Sequence, residues 1–156
     1  MRPVWPVSYH APMTPPTPTT PGTPPGRTPA TTPTKPLGPY TPAVRAGDWI
    51  IVSGQLGVVD GALVSGGVAA QTAQAVTNLE AQLATMGATL ADVAKTLCFL
   101  TDMDTFATFN EAYIAGFGTS RPARSTIGVA ALPLGGAVEI EAWAYQPLGS
   151  GATPKQ

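Results

Sequence analysis

Apolar and polar positions alternate along several stretches of the chain, and each such stretch predicts a strand. The last of them, 137–145, has apolar residues pointing one way and acidic or aromatic residues pointing the other: Val138, Ile140, Ala142 and Ala144 against Glu139, Glu141, Trp143 and Tyr145. Runs rich in β-branched residues predict further strands, and an Asp-Gly pair between apolar flanks predicts a hairpin: 48–56, 93–100 and 123–130 for the strands and 58–64 for the hairpin.

Two other stretches have the period of helices. Val76, Leu79 and Leu83 recur at helical spacing within 68–86, and Gly87 follows as a stop. The opposite side of this helix is polar but uncharged: Gln71, Gln74, Asn78 and Gln82. A second helix is predicted to begin near Asp104 or Thr105, with one aromatic face that we expect to be mostly core: Phe106, Phe109, Tyr113 and Phe117. Thr89 is a candidate cap for a short turn between the first helix and the next strand.

The order of these elements predicts an α+β fold, in which a mixed β-sheet has two helices packed on one face. No helix is left to cover the second face of the sheet. Only 11% of the residues are charged, against roughly 25% in an average globular protein. Both observations predict that another subunit covers the second face.

The composition divides the chain into three segments. Residues 1–36 hold 12 of the 18 prolines and nine threonines, which predicts a disordered tail with a polyproline II tendency. Residues 37–148 form the organised domain, and 149–156 are predicted to be a second, short disordered tail. His10, the one histidine, lies in the first tail and is given no catalytic role.

Charge and cysteine content exclude several functions. The organised domain has four basic and nine acidic side chains, which argues against nucleic-acid binding. A single cysteine, Cys98, excludes an intrachain disulfide framework, and with one histidine it argues against a metal site. Cys98 lies in a buried-type strand and is expected to be an inert core thiol. No apolar run is long enough to cross a membrane and none resembles a secretory signal, so the expected location is the cytoplasm.

One permanent charge stands inside a strand of small and apolar residues. Arg124 lies in "RPARSTIGVAALP", residues 121–133. Its partner is either an internal carboxylate, with Glu139 and Glu141 as candidates on an adjacent strand, or a ligand. The sequence alone favours neither partner over the other.

Five short motifs occur in a characteristic order. They are GPYTPAV (38–44), SGQ (53–55), FNEAY (109–113), RPARST (121–126) and VEIEAWA (138–144). In this order and spacing they resemble the RidA (YjgF) family of enamine/imine deaminases, and the resemblance covers nearly all of residues 38–145. It implies a chorismate-mutase-like fold, a homotrimer with pockets between subunits, and cofactor-independent hydrolysis of 2-aminoacrylate-type enamines and 2-iminoacids to 2-oxoacids and ammonia.

The resemblance also implies roles for individual residues. Arg124 binds the substrate carboxylate, and Glu139 positions and activates the attacking water. Tyr40 reaches the pocket from the neighbouring chain, while Ser53 and Asn110 lie on or near its wall. The residues alone leave ordinary alternatives open, in which Glu139 belongs to a solvated face, Tyr40 packs at an interface, Ser53 ends a strand and Asn110 bonds to backbone groups.

Thr126 stands two positions after the arginine, where many family members have cysteine. Threonine serves equally well there if that position acts through its backbone, but it removes any thiol chemistry. The alternative function for the whole protein is a non-catalytic homotrimer of the same fold that binds small carboxylates or acts as a regulator.

Overall fold

The structure, a computed structural model, describes residues 26–29 and 38–147. Within them the chain forms eight strands and two helices. In chain order these are β1 (Arg27–Pro29), β2 (Ala43–Ala46), β3 (Trp49–Leu56), β4 (Val58–Val59), β5 (Ala62–Leu63), α1 (Gly67–Thr85), β6 (Val93–Leu100), α2 (Phe106–Phe117), β7 (Ala123–Gly128) and β8 (Val138–Tyr145).

Six strands form one mixed sheet in the order β1-β2-β3-β8-β6-β7. Neighbouring strands are antiparallel except β6 and β7, which are parallel. Parallel strands require a crossover connection, and α2 provides it here. The remaining strands, β4 and β5, form the hairpin that the sequence predicts, and its turn residues Asp60 and Gly61 have φ angles of 50° and 82°.

Both helices pack on one face of the sheet, which confirms the predicted α+β architecture. The apolar residues of β8 are all 0% exposed and lie under the helices: Val138, Ile140, Ala142 and Ala144. Phe109 of α2 and Leu79 of α1 are also 0% exposed, and burying such a side chain contributes roughly 1.5–3 kcal/mol.

The opposite face, which we call the open face, is covered by no element of the described residues. Glu139, Glu141 and Trp143 of β8 are half-buried there. Trp49 and Tyr145 are 44% and 45% exposed, and their rings meet edge-on with centroids 5.1 Å apart. The alternation predicted for the last strand is therefore confirmed on both faces.

The polar side of α1 faces the protein rather than solvent. Asn78 Nδ2 donates 2.9 Å hydrogen bonds to the carbonyl oxygens of Leu56 and Val58. Gln71 Oε1 accepts a 2.8 Å hydrogen bond from the backbone N–H of Ala137. These uncharged side chains satisfy strand ends that the sheet leaves without partners.

Short turns precede two elements. Before β6, Thr89 and Asp92 form a capping box, as predicted for Thr89. Before α2, Asp102 rather than Asp104 caps the 3-10 turn Met103–Thr105, because its Oδ1 accepts a 2.9 Å hydrogen bond from the Asp104 N–H. The helix itself begins at Phe106, close to the predicted position.

Arg27–Pro29 lie within the stretch predicted to be disordered, and there the structure differs. These residues pair with β2 as the terminal strand of the sheet. Backbone pairing with an open sheet edge does not depend on apolar side chains, and proline is tolerated in an edge strand, so composition misses it. The rest of the predicted tails, including His10, lies outside the described residues.

Candidate active site

Arg124 lies on β7 with its side chain on the helix side of the sheet. Its Nη2 donates a 2.8 Å hydrogen bond to Asn110 Oδ1 on α2. The centre of the guanidinium group is 4.6 Å from the ring centroid of Tyr113, 5.5 Å from that of Phe109 and 5.8 Å from that of Phe106. The aromatic face of α2 is thus both core and a wall for this cation, through contacts that each contribute roughly 0.5–2 kcal/mol.

Tyr113 is itself fixed by the sheet. Its hydroxyl lies 2.8 Å from Thr96 Oγ1 on β6, and both side chains are buried. Burial raises the pKa of the Tyr113 hydroxyl, which stays neutral. The ring beneath the guanidinium group therefore cannot rotate away without breaking a buried hydrogen bond.

Thr126 lies two residues beyond Arg124, beside Cys98 of β6. Its Oγ1 is buried and has no hydrogen-bond partner among the described residues. Burial raises the pKa of the Cys98 thiol to about 11, so the thiol stays protonated near neutral pH and is the inert core group expected from the sequence. Arg124, Asn110 and Thr126 form what we call the arginine cluster.

Glu139 lies on the open face, against β3. The pairing of β3 with β8 shifts between Val52 and Gln55, so β3 bulges at Gly54. The Glu139 carboxylate occupies the space above Gly54 so closely that a Cβ atom there would overlap it. Glycine at position 54 is therefore what allows the carboxylate to lie flat on the strand.

Two causes raise the pKa of the Glu139 carboxyl group. Desolvation by partial burial is the larger, and the negative charge of Glu141 adds to it. Desolvation also raises the pKa of Glu141 itself. A carboxyl group with a raised pKa exchanges protons closer to neutral pH, which suits a general acid or base.

Ser53 directly precedes Gly54 on β3, and Tyr40 lies in the segment that leads into β2. Ser53 Oγ donates a 2.8 Å hydrogen bond to the Thr41 carbonyl oxygen, which holds the Tyr40 segment against β3. The Tyr40 side chain is 44% exposed. It borders an open cleft of about 420 Å³, lined by Arg27, Tyr40, Thr41, Val44, Ala46, Ile51 and Ser53. Glu139 is not among the residues that line this cleft. We call the three predicted residues Tyr40, Ser53 and Glu139 the carboxylate cluster.

The two clusters lie on opposite faces of the sheet. Strand β6 separates β7, which carries Arg124, from β8, which carries Glu139. Two interstrand spacings are about 10 Å, and the two side chains point in opposite directions. The interpretation of Arg124 as an internal partner of Glu139 or Glu141 is therefore wrong for a single chain.

The predicted site residues thus form two groups within one chain. The sequence does not indicate the ring contacts of Arg124 or the close contact between the Glu139 carboxylate and Gly54. Both contacts depend on how the strands and the helix are placed in space. The SGQ motif, which lies inside the predicted strand 48–56, is the one signal in the sequence that pointed toward Gly54.

Known proteins show which family this arrangement belongs to. The family model described as Endoribonuclease L-PSP matches residues 30–146. The chain is a member of the RidA (YjgF) family. This confirms the resemblance based on the five motifs, and the chorismate-mutase-like fold is that of its RidA structural neighbours.

Several RidA relatives are similar over most of their length. The 2-iminobutanoate/2-iminopropanoate deaminase of Bos taurus is 46% identical over 110 residues, which cover 69% of this chain and 80% of that protein. RidA from the Antarctic bacterium Psychrobacter sp. is 40% identical with a TM-score of 0.68, covering 71% of this chain and 91% of that chain. E. coli TdcF with bound serine is 33% identical with a TM-score of 0.67 and has the same coverage of 71% and 91%.

Two further observations concern the described part of the chain. No group of three or more His, Cys, Asp or Glu side chains there is arranged to hold a metal ion. Neither α1 nor α2 combines the length and apolarity that crossing a bilayer requires.

Proposed function

We propose that this RidA protein is a cofactor-independent hydrolytic deaminase. Its substrates are 2-iminoacids and their 2-aminoacrylate-type enamine tautomers, and its products are 2-oxoacids and ammonia. The observation that carries the proposal is the environment of Arg124, whose half-buried guanidinium group forms no ion pair with a carboxylate of the described residues. The names of relatives such as the bovine deaminase support the same reaction.

The pocket in this proposal is built from two chains. The arginine cluster of one subunit faces the carboxylate cluster of its neighbour, and three such pockets make a homotrimer. The separation of the clusters within one chain supports this assembly. So do the exposed apolar residues of the open face, of which Ile51 is 40% exposed and Trp49 is 44% exposed.

Arg124 binds the carboxylate of the substrate. Asn110 and the aromatic wall hold the guanidinium group in one orientation, so little flexibility is lost when substrate binds. Each charge-assisted hydrogen bond contributes roughly 1.5–3 kcal/mol. Asn110 Nδ2 makes no hydrogen bond within the described residues and is available as a further donor. E. coli TdcF was solved with bound serine, which is similar in size and charge to the substrates proposed for this protein.

Glu139 moves protons in the reaction. A protonated imine is already electrophilic at C2, so water adds there without a covalent enzyme intermediate. Glu139 takes a proton from the attacking water and returns it to the amino group of the resulting carbinolamine. The C–N bond then breaks and ammonia leaves, while the carboxylate of Glu139 takes the hydroxyl proton and the C=O bond of the 2-oxoacid forms. General acid–base catalysis of this kind contributes roughly 10²–10⁴-fold, and the raised pKa of Glu139 suits both directions of transfer.

The remaining residues shape the pocket. Tyr40 forms an exposed wall of the cleft, and Ser53 holds the segment that carries Tyr40. Thr126 acts through its backbone on β7. No step of this mechanism requires a thiol at position 126.

The decisive experiment measures 2-oxoacid formation from imines that an amino-acid oxidase generates in the assay. The wild-type protein should accelerate it, and Arg124→Ala should remove at least 100-fold of the acceleration in kcat/KM, about 2.7 kcal/mol. The matched control is Arg121→Ala, because Arg121 belongs to the same motif but donates only to the carbonyl oxygens of Gly118 and Ser120. Full activity of Arg124→Ala would refute the mechanism.

The same proteins distinguish the alternative functions. A non-catalytic carboxylate-binding trimer would show no turnover but Arg124-dependent binding of a small carboxylate in calorimetry. The family description names an endoribonuclease, so an RNA substrate belongs in the assay. We expect no cleavage, because the half-buried Glu139 and Glu141 on the open face repel a phosphodiester backbone.

A further inference from the structure

Two aromatic residues occupy one rim of the open face. Trp49 is the first residue of β3 and Tyr145 is the last residue of β8, and the two are directly paired. Their side chains are 44% and 45% exposed. Tyr145 lies six residues along β8 from Glu139, a distance of about 20 Å at the rise of a strand. We call Trp49 and Tyr145 the aromatic rim, and it is separate from the candidate active site.

The N-terminal segment leaves the sheet beside the aromatic rim. Arg27 of β1 pairs with Ala46 of β2, and Ala46 pairs with Trp49. These residues and Tyr145 therefore form one row across the open face. Arg27 is about 10 Å from Trp49 and about 14 Å from Tyr145, which correspond to two and three interstrand spacings. Gly26 has a φ angle of 84°, a conformation that favours glycine and lets the chain turn at this point.

The sequence directly before this turn is a tripeptide repeat. Residues 14–25, which lie outside the described residues, read TPPTPTTPGTPP, so the unit Thr-Pro-X occurs four times in succession. A polyproline II helix has three residues per turn. The repeat therefore predicts a stripe of prolines along one side of such a helix, and the proline before the repeat continues it: Pro12, Pro15, Pro18, Pro21 and Pro24.

We propose that this proline stripe docks on the aromatic rim of its own chain. Polyproline II segments bind to aromatic surfaces, and because they are already extended they lose little conformational entropy on binding. At about 3.1 Å per residue, Pro24 lies about 9 Å and Pro21 about 19 Å along the chain from Arg27. These lengths span the distances from Arg27 to Trp49 and Tyr145. The inference does not depend on the proposed function.

The tail is favoured over other occupants of the aromatic rim because it is attached beside it. A segment that a short linker joins to its binding surface has an effective concentration in the millimolar range, so a weak contact is enough for docking. Residues 1–25 hold Arg2 and no acidic side chain, whereas residues 37–148 hold nine acidic and four basic side chains, so charge does not oppose the contact. The match to the family model covers residues 30–146, and the repeat precedes it.

The test measures how well solvent reaches the ring of Trp49 in the full chain. Indole N–H signals are recorded by NMR while a soluble paramagnetic agent broadens those of exposed groups, and the signal of Trp49 is the one that Trp49→Phe removes. The variant that combines Pro18→Ala, Pro21→Ala and Pro24→Ala interrupts the stripe. We expect the agent to broaden its Trp49 signal about twofold more than in wild type, because the tail no longer docks.

The matched control combines Thr17→Ala, Thr20→Ala and Thr23→Ala. It changes the same number of residues on another side of the repeat, and its Trp49 signal should behave as in wild type. The backbone N–H of Thr77, exposed on α1 at the other face of the sheet, serves as a reference and should respond equally in all proteins.

Three outcomes would overturn the inference. If Trp49 is protected in wild type and in both variants, a second copy of the chain covers the aromatic rim instead of the tail. If Trp49 is equally exposed in all three proteins, nothing covers it. If the threonine variant exposes Trp49 as much as the proline variant does, the contact is not made by the proline stripe.

Discussion

Arg124 and Glu139 lie on opposite faces of one sheet, with strand β6 between the strands that carry them. No rotation of either side chain brings them together, because the backbone of the sheet stands in the way. Arg124 is on the edge strand β7, so a neighbouring molecule can approach it from outside the sheet. If both residues act on one substrate, each must come from a different subunit.

This geometry predicts that two inactive variants restore each other. Arg124→Ala and Glu139→Gln are each expected to lose at least 100-fold in kcat/KM. When they are unfolded together, mixed and refolded, a site works only if Arg124 comes from one variant and Glu139 from the other. Random assembly of equal amounts makes about a quarter of the sites intact, and the measured activity should recover to about that fraction of wild type.

The control is the double variant that carries both substitutions on one chain. It is mixed with wild type at equal amounts. If each site draws on two chains, about a quarter of the sites contain both Arg124 and Glu139; if each site lies within one chain, about half of them do. If the two single variants fail to complement while wild type refolds fully, the two-chain pocket is wrong.

The contacts of Tyr113 predict that its ring and its hydroxyl have separate roles. Tyr113→Phe keeps the ring 4.6 Å from the guanidinium group of Arg124 but leaves the buried Thr96 Oγ1 without its 2.8 Å partner. The hydrogen bond that remains to this oxygen, from Cys98 Sγ, is 4.0 Å long and weak. A buried hydroxyl left so poorly paired lowers the free energy of unfolding by roughly 1–3 kcal/mol. We therefore expect a lower midpoint in denaturant unfolding and kcat/KM within about twofold of wild type.

Asn110→Ala should lower activity and leave stability nearly unchanged, which is the reverse of the result expected for Tyr113→Phe. Asn110 is half-buried, and its Oδ1 holds the guanidinium group of Arg124. Removing it should raise KM about tenfold, about 1.4 kcal/mol, with little change in unfolding. If Tyr113→Phe reduced activity as strongly as Asn110→Ala, the hydroxyl would belong to the reaction and not only to the support of the ring.

How far the sequence predicts this protein depends on the kind of contact. The alternation of Val138 and Ile140 with Glu139 and Glu141 follows from the two-residue period of a strand, so the faces of β8 were predictable. The same holds for the helices, whose apolar residues recur along one side. The repeat of apolar residues is enough by itself to place a residue on one face of its strand or helix, and the structure confirms these placements.

Contacts between distant segments were not predictable in this way. The polar residues Gln71 and Asn78 look like a solvated side, but they bond to strand ends that only the packing of α1 brings near. Strand β1 lies in a proline-rich segment and forms because the edge of β2 is available. For the site, the motifs give the residue types, but the order of β7, β6 and β8 decides which of them meet within one chain.

The close contact between Gly54 and the Glu139 carboxylate predicts that Gly54→Ala loses activity but keeps its fold. In Gly54→Ala the new Cβ overlaps the carboxylate of Glu139, which is the end of a flexible side chain and can swing away. The backbone at Gly54 does not have a positive φ, so the substitution adds no strain of its own. We expect kcat to fall about 100-fold, within the range for loss of a general base, while the melting temperature stays within a few degrees.

Gly57→Ala is the matched control. A Cβ at Gly57 would lie 2.5 Å from Gln71 Cα, which belongs to the backbone of α1 and cannot move without the helix. That substitution should destabilise the protein by roughly 1–3 kcal/mol and affect activity only through stability. If Gly54→Ala were fully active with Glu139 displaced, Glu139 would have no part in the reaction.

The pair of carboxylates on β8 predicts a pH effect with a definite sign. The charge of Glu141 is the second cause that raises the pKa of Glu139. Glu139 must be deprotonated to accept a proton from water, so kcat/KM falls as the pH drops through its pKa. Glu141→Gln removes the like charge and lowers that pKa, and the acidic limb of the profile should move to lower pH. Glu139→Gln should abolish the limb, whereas Asp104→Asn, at an exposed turn before α2, should leave it in place. A limb that moves upward in Glu141→Gln, or survives in Glu139→Gln, would assign the proton transfer to another group.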